Sequence, residues 1–135
     1  YYDAIMETEC GLTKAELEMI VVATSAQNNC LYCVVSHGAV LRIRAKDPVL
    51  SDQLAINFKK SKVSKKQMAM LNFAVKVAKE SDHINDEDFK ILQDHGFDIE
   101  DAWRIASVAS FFAMSNRLAN TFSMLPNTEF YNMGR

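Results

Sequence analysis

Two thiols and an imidazole stand three and four residues apart in the stretch Asn28-Asn29-Cys30-Leu31-Tyr32-Cys33-Val34-Val35-Ser36-His37. On a helix turning about 100° per residue, Cys33 lies about 300° and His37 about 340° round from Cys30. All three therefore share one face, within roughly 60° of arc, at the spacing that lets side chains interact across a turn. Cysteine chemistry runs through the thiolate, and an ordinary thiol, with a pKa near about 8.5, is mostly protonated at neutral pH. A CxxC at a helix start favours the thiolate through the helix N-terminus and lets the two sulfurs close a disulfide across one turn. His37, one turn past Cys33, is spaced to accept its proton, which is the nucleophile–base arrangement of covalent catalysis.

Glu18 is the fourth candidate. It lies among Leu17, Ile20, Val21 and Val22, a stretch expected to be buried, and a buried carboxylate without a partner is costly. Facing His37 from a neighbouring helix, it would orient and charge-stabilise the imidazole. Glu16 competes for that role, but it also completes a helix cap. Two other readings of the cysteines stand beside the redox one. They are packing residues, or Cys33 and His37 chelate zinc at i and i+4. Structural zinc takes four ligands, usually with its CxxC in a turn, and His83 and His95 are isolated in polar stretches. Cys10 is read as a bystander thiol.

The remaining composition narrows the class. A chain of 135 residues that is 49% hydrophobic and 24% charged, with only 4 Gly and 2 Pro, fits one globular helical domain over residues 1–135. It begins with Tyr1, so part of an N-terminal region is expected to precede it and an organelle signal is unreadable. The net charge of −2 gives no reason to expect nucleic acid. The basic run from Lys59 to Lys66 lacks interleaved aromatics and reads as a solvated linker and helix start. No apolar run is long enough to span a bilayer. Three cysteines, two of them in one CxxC, suit a cytoplasmic redox motif better than a secreted disulfide framework.

Six helices or so follow from caps and periodicity, with no sustained alternation of the strand kind. Thr13 and Glu16 form a capping box for a helix over 14–27, apolar enough for near-complete burial. Asn28 or Asn29 is expected to cap the next, over about 30–44, with Leu31, Val34, Val35, Gly38 and Leu41 as its apolar face. Asp47-Pro48 starts a short helix to about Phe58. Ser64 caps a helix with Met68, Leu71, Val75 and Ala78 as its stripe. Asn85 opens another that Gly96 ends. Asp98 opens the last and longest, with Trp103, Ala106, Ser110, Ala113 and Arg117 along successive turns, and Pro126 closes it before a short polar tail. The fold is thus an all-α bundle with the CxxC at the start of a buried helix.

The spacing of Glu18, eleven residues, Cys30, two residues, Cys33, three residues, His37 resembles the active-site signature of the alkylhydroperoxidase D-like, or carboxymuconolactone decarboxylase-like, superfamily. Residues 15–42 resemble its peroxidase-related branch, including Tyr32 between the cysteines, and a weaker similarity runs through 68–122. The resemblance implies an alkylhydroperoxidase D-like bundle and a thiol-dependent peroxidase without metal or organic cofactor. In it Cys33 attacks a hydroperoxide and becomes a sulfenic acid, Cys30 resolves this to a disulfide, and Glu18 with His37 relays protons. The partners would be a hydroperoxide and a thiol or dithiol reductant. Some members carry His where this chain has Tyr32, and decarboxylase members lack the CxxC. The alternatives are a thiol–disulfide oxidoreductase or redox sensor using the same cysteines, and a zinc-stabilised structural helical protein.

The last helix also implies self-association. Trp103, Ile105, Val108, Phe111, Phe112, Met114, Leu118, Phe122, Met124 and Leu125 occupy more than the single apolar stripe a surface helix needs. A bundle of this size has too little interior to cover every side of it. A homo-oligomer follows, with a two-fold contact as the commonest solution; the resemblance adds a hexamer built from such dimers.

Overall fold

Thr13 and Glu16 start the helix on which the bundle is built. The Thr13 hydroxyl accepts from the Glu16 N–H and the Glu16 carboxylate accepts from the Thr13 N–H, both at 3.0 Å. The structure, a computed structural model, describes residues 1–135. Seven α-helices and three single turns of 3-10 helix make up the fold: α1 (Tyr2–Met6), α2 (Lys14–Gln27), α3 (Leu31–Ala45), α4 (Leu50–Asn57), α5 (Lys65–Glu80), α6 (Asp86–Asp94) and α7 (Ile99–Thr121). The protein is all-α, as its sequence pattern predicts.

Helix α2 is the centre. Every residue from Leu17 to Ser25 is buried, so it is enclosed on all sides rather than amphipathic. It packs against α3, α4, α5 and α7. Capping boxes also start α5 (Ser64 with Gln67), α6 (Asn85 with Asp88) and α7 (Asp98 with Asp101). Gly96, at φ +90°, follows the end of α6, where a residue with a Cβ is strained. One core of Leu17, Ile20, Val22, Leu41, Leu54, Met70, Leu71, Ile105, Val108 and Phe112, among others, joins the helices.

Several expectations shift by a residue or a face. Neither Asn28 nor Asn29 caps α3. Asn28 ends α2, Asn29 turns the corner at φ +54°, and Cys30 itself is the N-cap. Leu31 therefore points outward and is 50% exposed, although Leu41 lies in the core. Helix α4 begins at Leu50 rather than Pro48, because the Asp47 carboxylate accepts from the N–H groups of Val49 and Leu50. Helix α7 ends at Thr121, ahead of Pro126, where Ser123 takes φ +53°. The tail beyond is not free: buried Arg42 donates to the carbonyls of Phe130 and Met133, each at 2.7 Å. Helix α1 carries no capping side chain and was invisible to periodicity. Packing of Ile5 and Met6 and the Arg104 guanidinium on the Ile5 carbonyl hold it.

The inward face of α7 is Ala102, Ile105, Ala109, Phe112, Asn116 and Ala119, one residue earlier at each turn than the Trp103-to-Arg117 row. A step of one residue is about 100° of rotation. The opposite side exposes Trp103, at 74%, with Met114 and Leu118, beside exposed Ser110, Arg117 and Thr121, and Phe122 and Leu125 are exposed just past the helix end.

Candidate active site

The elbow between α2 and α3 places both cysteines. Asn28 closes α2, and the left-handed Asn29 reverses the chain in one residue, so that Cys30 enters α3 as its N-cap. The Cys30 sulfur accepts from the Cys33 N–H at 3.3 Å, doing the work an Asn or Ser oxygen usually does at a helix start. That position sets the sulfur where the N–H groups of the first turn converge. Both thiols are free, and each residue is 1% exposed. Ala119 of α7 packs against the pair.

Glu18 and His37 meet. The Glu18 carboxylate lies 2.7 Å from His37 Nδ1, joining the middle of α2 to α3. Glu18 is 3% exposed, and no buried polar side-chain atom in the protein lacks a hydrogen-bond partner. An ionised carboxylate only accepts, so Nδ1 carries the hydrogen and Nε2 keeps its lone pair. The imidazole also stands edge-on to Phe112 of α7, with ring centroids 4.9 Å apart. Tyr2 lies against Phe112 in turn, and burial together with the nearby Glu18 charge pushes its phenol upward. Glu16 stays in its capping box and accepts from the Gln67 side chain, away from the imidazole's partner.

The resting dithiol is not a pair of freely ionised sulfurs. Burial, then the hydrogen bond and charge of Cys30, push the Cys33 thiol up to about 12. Ser115 and Asn116 of α7 bear on the same sulfur in the opposite sense. The low-pKa thiol expected from a CxxC at a helix start is therefore not what Cys33 is at rest. The imidazole of His37 stands one turn further along α3. Cys30 lines an open depression of about 330 Å³ with Ala26, Asn29, Leu31, Val34 and Ala55. A cavity of about 440 Å³ between α6 and α7 contains none of the four candidate residues.

His83 and His95 are engaged locally, His83 with Asp82 at 3.5 Å and His95 with the Ile91 carbonyl. No group of three or more His, Cys, Asp or Glu side chains is placed to hold a metal ion. No helix is long and apolar enough to cross a membrane. Cys10 is exposed near the start of α2. What sequence reasoning missed lies on α7: Phe112, Ser115 and Asn116. A signal was present, since Asn116 falls at core spacing from Ala109, Phe112 and Ala119, where an amide is unexpected without a partner.

Comparison with known proteins gives three findings. Residues 1–48 match the model of the carboxymuconolactone decarboxylase family. The fold matches the crystal structure of an alkylhydroperoxidase AhpD core, an uncharacterized peroxidase-related protein from Ralstonia eutropha JMP134, at 57% identity and TM-score 0.99, covering 100% of this chain and 71% of that one. It also matches an uncharacterized peroxidase-related protein from Silicibacter sp. TM1040 at 40% identity and TM-score 0.97, covering 99% of this chain and 70% of that one. No curated protein is significantly similar.

Because the folded state raises the Cys33 thiol, the unfolded chain releases that proton first as pH rises. The stability that reduced Cys33 contributes is whole below about pH 9 and is lost as pH climbs toward about 12. Urea titrations of the reduced protein are expected to show Cys33→Ser losing less stability than the parent across that window. Parallel curves for the two would show that Cys33 is not held as a buried thiol.

Proposed function

We propose that this chain, which belongs to the carboxymuconolactone decarboxylase family in its alkylhydroperoxidase D-like, peroxidase-related branch, is a thiol-dependent peroxidase. The observation that carries the reading is a buried Glu18–His37 pair, 2.7 Å across, one helix turn from a buried dithiol. His37 Nε2, polarised by Glu18 at Nδ1, takes the Cys33 proton through space or a bridging water. The Cys33 thiolate attacks the distal oxygen of a hydroperoxide, the O–O bond breaks, and the leaving alkoxide takes a proton from the imidazolium. Cys33 is then a sulfenic acid. Cys30 attacks it, releasing water and closing the disulfide, and an external thiol or dithiol restores both cysteines by exchange.

The raised Cys33 thiol makes the relay necessary to this scheme. A sulfur that ionised unaided at neutral pH would gain little from a base. Burial suppresses stray reaction of the resting thiol, and the relay releases that suppression on demand. The depression reaching Cys30 favours a second reading, a thiol–disulfide oxidoreductase that exchanges at Cys30 without consuming peroxide. Stopped-flow oxidation of the reduced protein by hydrogen peroxide and by an organic hydroperoxide separates the two.

We also infer that the uncovered side of α7 joins two copies of the chain. Trp103, Met114, Leu118, Phe122 and Leu125 form an apolar row of a kind that soluble monomers rarely leave open.

In the stopped-flow assay Cys33→Ser is expected to abolish peroxide consumption. Cys30→Ser should complete one turnover and retain a sulfenic acid that a dimedone-type reagent labels. Labelling on Cys30 in the Cys33→Ser protein would reverse the two roles. Glu18→Gln should slow oxidation about 10²-fold at neutral pH, with the deficit closing as hydroxide deprotonates Cys33 unaided. A deficit equal at every pH means that Glu18 is structural. Light scattering at micromolar concentration should give at least twice the 15.2 kDa of one chain, and Leu118→Asp with Phe122→Asp should reduce it. A monomer mass for the unaltered chain defeats the interface.

A further inference from the structure

Asn116 is wholly buried, yet the proton relay gives it no task. Its side chain ties three segments together. The Asn116 carbonyl oxygen accepts from the Asn28 side-chain amide at 3.0 Å, and its own Nδ2 donates to the Ser25 hydroxyl at 2.9 Å. One turn later, Asn120 Nδ2 donates to the Asn28 carbonyl at 3.0 Å. Two asparagines at i and i+4 on α7 thus clamp the elbow from which Cys30 enters α3. The Cys30 N–H is held by the Ser25 carbonyl at 3.1 Å, so the clamp and the dithiol share a support.

The amide has more capacity than the clamp uses. Nδ2 carries two hydrogens, and Ser25 accounts for one. Ala119, three residues on and on the same face of α7, packs against both cysteines, which directs that face at the dithiol. Ser115 and Asn116 stand one turn before Ala119 on that side of α7, and both draw the Cys33 thiol downward. The ionisable groups of the site come from elsewhere: Tyr32 and His37 on α3, Cys30 at its cap and Glu18 on α2. Ser115 and Asn116 do not titrate, and each has a hydrogen to donate toward a sulfur that has lost its own.

We propose that Ser115 and Asn116 form a donor wall for the Cys33 thiolate, and that Asn116 couples this wall to the clamp on the α2–α3 elbow. The proposal rests on the peroxidase reading for its rate measurement. Its thiolate measurement does not need peroxide. When His37 takes the proton, the hydroxyl of Ser115 and the second amide hydrogen of Asn116 meet the new charge in a site with almost no access to water. Hydrogen bonds to a charged group are stronger than those to a neutral one, so both donors favour the ionised sulfur over the thiol.

The test is the pH dependence of Cys33 alkylation by iodoacetamide in the full reduced chain, read by peptide mass spectrometry, beside its oxidation by hydrogen peroxide. Asn116→Ala should slow both reactions roughly tenfold from neutral pH up to about pH 9, below the range in which the raised thiol costs the fold stability. Asn120→Ala loosens the clamp without touching Cys33 and should leave both rates in place. Equal slowing in the two variants would reduce Asn116 to its clamp, and no slowing in Asn116→Ala would overturn the wall outright. If Asn116→Ala does not fold by circular dichroism, Ser115→Ala, which leaves the clamp whole, must slow both reactions in the same way, and unmoved rates overturn the proposal. An unaltered protein that consumes no peroxide defeats the peroxidase reading alone, because alkylation still decides the wall.

Discussion

The Glu18–His37 contact is the constraint around which the molecule is arranged. A carboxylate at the centre of a wholly buried helix is tolerable only with a partner in place, and breaking such a pair costs about 3–5 kcal/mol. The partner comes from α3, so the crossing of α2 and α3 is fixed by this bond as well as by apolar packing. The short elbow supports the same crossing: with Asn28, Asn29 and Cys30 alone joining the helices, α3 has little freedom to slide along α2. The ring edge of Phe112 holds the imidazole from the third side. The pair therefore serves the fold directly, and the relay proposed here uses the same bond.

Burial works against ionisation at the second cysteine. Cys30 sits where α3 begins and its sulfur accepts a backbone N–H, while Cys33 lies one turn inside, against Ala119 of α7, and is pushed toward the thiol. Two chemically identical side chains three residues apart thus acquire different surroundings, one from the helix start and the other from the packing of α7.

Helix α7 does three things along its length. Ile105, Val108 and Phe112 fill the core, Asn116 and Ala119 reach the elbow and the dithiol, and Trp103 and Leu118 remain outside, with Phe122 at its end. Its 23 residues make about six turns, enough to pass from core to site. That division explains why its pattern is hard to read. Exposed Trp103, Met114 and Leu118 stand among exposed Ser110, Arg117 and Thr121, so the outside is marked by no uniformly polar face.

The all-α class and the common face of Cys30, Cys33 and His37 were legible in the sequence, because i, i+3 and i+4 spacings are local and survive without knowledge of partners. Thr13, Ser64, Asn85 and Asp98 each announced a helix start by a side chain that bonds within three residues. Position 30 was misread for the same reason. A sulfur is a rare cap, and only the turn at Asn29, with its φ of +54°, makes Cys30 the capping residue. That Glu18 meets His37 rested on nineteen intervening residues folding back, and burial alone suggested it. The rest was decided by tertiary structure. Asn116 reaches Ser25 and Asn28 from about ninety residues away, and no local period encodes that contact. The pull of burial on Cys33 exists only once α2, α3 and α7 have excluded water from it. Spacing determined which groups could react; packing determined how strongly Cys33 holds its proton.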